Sequence, residues 1–172
     1  LVAQSVNGVT NFTGSSNYSV ECWFRANNYN TASNILVSKH PYTGSPENTP
    51  YHLELTVGIN TTIGIYAIDN GQGIGGAANV SLNVWYQFLG VFEWTTNTCK
   101  TYLNGILQTT SDLSVITPTV GNNYDVTLGL QQNSSPVHRF WGDIGIFRIY
   151  SSALTGSEVL QNFNANKNIF GI

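Results

Sequence analysis

The sequence predicts an all-β fold, a two-sheet antiparallel jelly-roll sandwich with a short C-terminal helix. Three observations carry that prediction. Breaker-free runs of aromatic and β-branched residues recur along the chain, separated by turn residues at short intervals. No helical period occurs before Thr155. Charged residues make up only 9% of the 172 positions and aromatics 12%, while Thr, Asn, Ser and Gly fill most polar positions. Such a mixture suits a β-rich extracellular or particle-surface domain better than a helical cytosolic enzyme.

Taken in order, Leu1 to Phe12 reads as a strand, an Asn7-Gly8 turn and the start of a second strand. Gly14–Asn17 is a turn, and Tyr18–Arg25 is an aromatic, β-branched strand. Asn27–Ser33 is loop, and Asn34–Ser38 a short strand. His40–Pro50 holds Pro41, Gly44, Pro46 and Pro50, which excludes a helix or a central strand and predicts a surface loop. Tyr51–Val57 alternates cleanly and pairs with Thr61–Ile68 across Gly58–Asn60. The glycine-rich segment Asp69–Asn79 predicts a flexible turn. Its GxGxxG-like scatter lacks the strand-to-helix context of a phosphate cradle. Val84–Trp94 is a long aromatic strand, Thr95–Thr98 a hairpin tip, and Cys99–Leu103 the returning strand. Asn104-Gly105 is the strongest hairpin signal in the chain, with Ile106–Thr110 beyond it. Val126–Leu130 is the next strand.

Phe140–Glu158 closes the pattern. Strict alternation puts Ile144, Ile146, Arg148 and Tyr150 on one side and Gly145, Phe147 and Ile149 on the other. Apolar groups on both sides predict a strand in the middle of the sandwich. Thr155 and Glu158 form a capping-box pair ahead of a helix whose apolar stripe is Val159, Leu160 and Phe163.

A formal net charge of −3, with six Lys plus Arg, excludes a phosphate-binding surface for nucleic acid. No apolar run has the length of a membrane span. The length suits one domain over residues 1–172. The chain has no Met and starts at Leu1 in mid-pattern, so a longer parent chain is expected. Cys22 and Cys99 each fall in a predicted strand. They are either a disulfide, which needs neighbouring strands and an oxidising compartment, or two buried thiols.

Trp85-Tyr86-Gln87, an apolar strand, a Thr/Asn turn and Tyr102-Leu-Asn-Gly-Ile-Leu107 resemble the central hairpin of laminin G-like and pentraxin-like jelly rolls. Phe140–Tyr150 with Ala153-Leu154-Thr155 and Glu158 resembles the closing strand and helix of that group. Tyr18–Arg25 resembles its early strand. Together the matches imply the concanavalin A-like fold. The segment Leu160–Gly171 is similar to the ends of such domains in virus and phage structural proteins.

The same fold hosts glycoside hydrolases, which need two carboxylates facing the scissile bond. No Glu-x-Asp-x-Glu run is present. Glu54, with His52 two residues away, stands alone, as do Glu93 and Glu21, and isolated strand carboxylates are expected to be solvated surface groups. No nucleophile elbow is present either, so the expectation is a non-enzyme. The pentraxin-like resemblance implies a calcium site at Glu47, Asn48, Gln131, Gln132 and Asn133. Amides replace two expected carboxylates there, so calcium binding is expected to be weak or lost, leaving no cofactor. Asp143 is expected to be structural.

Sugar binding needs exposed aromatic faces with amides or hydroxyls nearby. Loop candidates are Tyr42, Tyr51, Asn48 and Gln132, with Tyr29 and Tyr124 as further tyrosines, and Tyr42 leads. His138 and Trp141 flank the closing strand. Trp23, Trp85 and Trp141 are expected in the core. Asn-x-Ser/Thr triplets at Asn11, Asn17, Asn60, Asn79 and Asn133 do not decide the compartment.

The expected function is non-catalytic adhesion or decoration on a virus or phage particle, extracellular or on the virion surface. The expected partners are a cell-surface or capsular glycan and other structural subunits, with homo-oligomeric or multivalent display. The alternatives are a structural interaction module that binds no sugar, a secreted eukaryotic lectin-like domain, and a degenerate glycosidase.

Overall fold

Alternating aromatic and β-branched residues form strands because each pleat can turn one side chain to a core and the next away from it. The computed structural model describes residues 2–3, 12, 16–28, 34–39, 49–56, 62–69, 72–116, 125–131 and 138–172, with only the backbone of 2–3, 49–56, 66–69 and 72–76. The elements run β1 (Val2–Ala3), β2 (Tyr18–Ala26), β3 (Asn34–Ser38), β4 (Thr49–Thr56), β5 (Thr62–Asp69), β6 (Gln72–Asn79), β7 (Trp85–Glu93), β8 (Thr98–Leu103), β9 (Ile106–Asp112), β10 (Val126–Leu128) and β11 (Gly142–Tyr150). Helix α1 (Gly156–Asn166) and a 3-10 turn, Lys167–Phe170, follow.

The strands form two antiparallel sheets. One has six strands in the order β1-β10-β3-β4-β5-β6, and the other five in the order β11-β2-β7-β8-β9. The all-β sandwich with a short C-terminal helix is therefore the observed architecture. Asn104 (φ 50) and Gly105 (φ 77) both take positive φ between β8 and β9, the backbone that a tight Asn-Gly hairpin requires.

On β2, Tyr18, Val20, Cys22 and Phe24 point into the core between the sheets, with Phe88 and Phe92 from β7 and Ile63 and Ile65 from β5. Gly90 lets the sheets approach, since a Cβ there would lie 2.6 Å from Ile65 Cδ1. The intervening β2 residues face outward beneath α1. There Leu89, Val91 and Tyr102 pack with Val159. Trp23 stacks on Phe163 and Phe170, with ring centroids 5.8 and 4.6 Å away. Glycine at 145 makes room for this cover, because a Cβ would collide with the Phe170 ring.

The sandwich is closed on one side, where β6 lies against β8 and β9. On the other side β10 and β11 border a cleft of about 280 Å³, lined by Leu128, Gly129, Phe140, Gly142 and Ile144.

Three expectations need correction. The segment Asp69–Asn79 is mostly strand, because β6 pairs with β5 residue for residue from Thr62↔Asn79 to Asp69↔Gln72. The closing strand β11 is an edge strand of its sheet. Its alternation breaks at a bulge between Ile144 and Ile146, which puts Ile144 on the core side with Phe147 and Ile149. The apolar groups on its other face are covered by the C-terminal segment instead of a second sheet. Trp141 is not core but half exposed. Of the two readings open for the cysteines, the buried thiols are the ones observed: Cys22 and Cys99 are both free. They sit on β2 and β8 with β7 between them, opposite Phe88 and Phe92 respectively, so two strand spacings, at least about 9.5 Å, part them, which no disulfide spans.

Candidate functional site

Two polar clusters lie on the outer face of the five-stranded sheet. The first is buried. Glu21, expected as a solvated group, is 0% exposed and sits between Ser19 and Trp23 on the outward side of β2. Its Oε1 accepts from Trp23 Nε1 and Gln87 Nε2, both at 2.8 Å. Its Oε2 accepts from the Tyr150 hydroxyl at 2.5 Å. Arg148 Nη1 lies 3.4 and 3.3 Å from the two oxygens. The network continues into α1: Asn162 Nδ2 donates to the Tyr150 hydroxyl, and Arg148 Nη2 donates to Asn166 Oδ1. Burial, followed by the adjacent Glu21 carboxylate, raises the Tyr150 phenol above its usual range. Gln87 Oε1 is left without a partner, because its amide turns Nε2 toward Glu21. This cluster docks the helix, with the Glu21 carboxylate sealed from solvent and Arg148 partly exposed.

The second cluster is open. It lies at the end of the same face, where β2 ends and β11 begins. Antiparallel register sets Asp143 opposite Arg25 and Arg25 opposite Trp85. One step further, the backbone N–H of Asn27 donates to the Trp141 carbonyl at 2.9 Å. By alternation, Trp141, Asp143, Arg25 and Asn27 share the outward face. The indole of Trp141 is 50% exposed. Arg25 donates through Nε and Nη2 to Asp143 Oδ2 at 3.0 and 2.9 Å, and Asn27 Nδ2 reaches the same oxygen at 3.4 Å. The Arg25 guanidinium lies 5.4 Å from the Trp85 ring centroid, a cation–π contact that fixes its plane. Gly142 keeps the two strands close, since a Cβ would collide with the Arg25 carbonyl oxygen. An exposed indole beside fixed acceptors and donors can stack on an apolar ring face and bond its rim. Asp143 thus has the framework contacts expected of it and also borders an open surface.

Of the residues expected to bind ligand or calcium, Tyr42, Glu47, Asn48, Gln132 and Asn133 lie outside the described residues. Tyr29 and Tyr124 do as well. Tyr51 is in β4, where the backbone alone is described. Gln131 is buried, and its Oε1 is 3.2 Å from His138 Nδ1. The two residues also pair through Gln131 N–H and the His138 carbonyl.

Three other carboxylates among the described residues have framework partners. Glu93 pairs with Lys100 at 3.0 Å, and that hydrogen bond holds its pKa below the usual value. Asp112 accepts from the Ser114 N–H, and Glu158 from the Thr155 N–H; each bond lowers the pKa of its carboxyl. Among the described residues, no group of three or more His, Cys, Asp or Glu could hold a metal.

Sequence reasoning missed both Trp141 and Glu21. For Trp141, the signal was a Trp ahead of Gly142 at the very start of the closing strand, where a second layer has ended. For Glu21, it was the outward series Ser19, Glu21, Trp23, Arg25 facing Arg148 and Tyr150.

The chain belongs to the concanavalin A-like lectin/glucanases superfamily, whose laminin G profile matches residues 3–160. No curated protein sequence matches it. Among solved structures it resembles the botulinum neurotoxin serotype G binding domain, with 18% identity and a TM-score of 0.71 over 96% of this chain and 40% of that one. It also resembles the binding domain of Paraclostridial Mosquitocidal Protein 1, with 19% identity and a TM-score of 0.67 over 97% of this chain and 41% of that one. A third is a Bacteroides ovatus ATCC 8483 protein described as a candidate carbohydrate binding protein, with 16% identity and a TM-score of 0.67 over 93% of this chain and 43% of that one. The chain therefore spans less than half the length of these structures, and at such identities the likeness is one of fold.

Proposed function

We propose that this chain is a non-catalytic adhesion module that binds glycan at the Trp141 strip. The observation that carries the reading is the half-exposed Trp141 indole beside Asn27, Asp143 and Arg25 on one face. Support comes from the family, which holds lectins as well as glucanases, and from the framework partners of Glu21, Glu93, Asp112, Asp143 and Glu158. The module is one domain of a longer chain, extracellular or on the surface of a virus or phage particle. Multivalent display there raises avidity although each contact is shallow. Tyr42, Tyr51, Asn48 and Gln132 belong to this proposal as a second contact region.

Calcium is proposed to bind weakly or not at all at Glu47, Asn48, Gln131, Gln132 and Asn133. Gln131 fits poorly as a ligand because its side-chain oxygen already meets His138. Calorimetry at millimolar calcium is expected to show no heat and no gain in melting temperature.

A glycan array probed with the native chain, and repeated with Trp141→Ala, tests the main reading. Binding that disappears in the variant supports it. A blank array together with a blank host-cell binding assay overturns it. One observation favours a structural module instead: Ile106, Leu107 and Leu160 are exposed. They lie near one another, since Leu160 reaches Gly105 at the tip of the β8–β9 hairpin. Under that reading Leu160→Glu, not Trp141→Ala, abolishes incorporation into the assembly.

A further inference from the structure

We propose that the Trp141 strip selects neutral pyranosides over acidic ones, with Arg25 and Asp143 acting together as a mutually compensated donor and acceptor pair. This rests on the glycan reading above and adds the ligand class. All three donors that reach Asp143, namely Arg25 Nε, Arg25 Nη2 and Asn27 Nδ2, converge on Oδ2. Asp143 Oδ1, Arg25 Nη1 and Asn27 Oδ1 therefore remain open, and the Arg25 and Asp143 side chains are 40% and 45% exposed.

These three atoms are two acceptors and one donor nitrogen. A sugar hydroxyl both donates and accepts, so it can give its proton to Asp143 Oδ1 or Asn27 Oδ1 and take one from Arg25 Nη1. The apolar face of the pyranose then lies on the exposed Trp141 indole. A carboxylate or sulfate only accepts. The cation it would meet in this cluster is Arg25, whose charge is already compensated by Asp143 at 2.9 Å. It would also bring a like charge beside the open Asp143 oxygen. Turning Arg25 toward such an anion would break its contact with Asp143 and lift it from Trp85. The chain's net charge of −3 adds a weaker repulsion of the same sign.

The test uses the native chain, labelled with nitrogen-15, with the Trp141 indole N–H signal assigned through Trp141→Phe. The neutral probes are lactose, cellobiose and N,N′-diacetylchitobiose. The acidic probes are 3′-sialyllactose and a sulfated heparin disaccharide. The expected result is a saturable shift of the Trp141 signal with at least one neutral sugar at millimolar concentration, and about tenfold or more weaker binding of the acidic probes. Asp143→Asn, which keeps an Oδ1 acceptor and leaves the Arg25 charge uncompensated, is expected to bring 3′-sialyllactose level with lactose. The comparison of sugars on the unaltered chain stands even if that variant folds poorly. Acidic probes that bind Trp141 as tightly as neutral ones, or more tightly, overturn the selectivity and leave glycan binding intact. A Trp141 signal that no sugar moves overturns the glycan reading of this strip itself.

Discussion

Between Val20 and Cys22, which face the inter-sheet core, Glu21 turns to the other side of β2 and meets Trp23, Gln87, Arg148 and Tyr150. Four donors surround one buried carboxylate, so its removal leaves the fully buried Trp23 and Gln87 donors without a partner and takes one from Tyr150 and Arg148. Glu21→Ala is expected to destabilise the fold by about 3 kcal/mol, because an unpaired partner of a buried ion pair is costly. Arg148 is partly exposed and keeps some solvation, which limits its share. Glu21→Gln retains an acceptor and should cost clearly less. Urea titration of both variants measures the difference, and equal losses would contradict the network. The two thiols make a second test at this scale. Burial raises the Cys22 pKa and pushes that of Cys99 up to about 12. Neither should react with a thiol reagent in the native chain, both should react in denaturant, and reductant should leave the melting temperature unchanged. Fast native labelling of either would place it outside the core. At this scale the sequence was least legible. Glu21 owes its surroundings to β7 and β11, and Trp141 to the end of β2, elements far away along the chain from each, so alternation alone read one as surface and the other as core.

Elements were more legible where local chemistry closes on itself. The capping box is present as its spacing predicts: Thr155 Oγ1 accepts from the Glu158 N–H at 3.3 Å, and Glu158 Oε2 accepts from the Thr155 N–H at 2.8 Å. Thr155→Ala is expected to cost about 1 kcal/mol, read as a lower urea midpoint. The bond from the Thr155 N–H lowers the Glu158 pKa in the folded chain from its ordinary 4.5. Its contribution is therefore fully present above about pH 4.5 and lost as pH falls through the lower folded value. The stability gap between the native chain and Glu158→Ala should accordingly hold at neutral pH and narrow in acid. A gap that widened in acid would show the opposite linkage. β6 was illegible for a different reason. Glycine disfavours strands as a local propensity, but β6 has a full partner in β5 and lies against β8 and β9. Tertiary pairing overrode the local signal. The bulge in β11 was equally hidden, because one extra residue changes the side of every following side chain without any mark in composition.

For the whole molecule, two sheets and a closing helix were legible, since repeated short apolar strands have few other ways to bury their faces. What the strand pattern did not reveal is that the five-stranded sheet has two cores. One lies against the other sheet, and the second lies against the C-terminal segment through Leu89, Val91, Tyr102 and Val159, with Trp23 stacked on Phe163 and Phe170. Ser19 ties the connection down, because its Oγ donates to the Ser152 carbonyl and accepts from the Leu154 N–H. The cover also steadies the open strip, since Phe170 packs on Trp85, which in turn lies against Arg25. Deleting residues 151–172 should therefore do more than remove a helix. It uncovers a continuous apolar face together with the buried Glu21 carboxylate, so the shortened chain is expected to bind a hydrophobic dye or aggregate, with a melting temperature far below that of the intact chain. A milder change separates the roles: Phe170→Ala removes one ring and leaves α1 in place. It should loosen Arg25 while largely preserving the fold, seen as weaker sugar-induced shifts at Trp141 with little change in the β-sheet circular dichroism. If the deletion instead leaves a monomer of unchanged stability, the second core is dispensable, and the Arg25–Asp143 strip owes its shape to β2 and β11 alone.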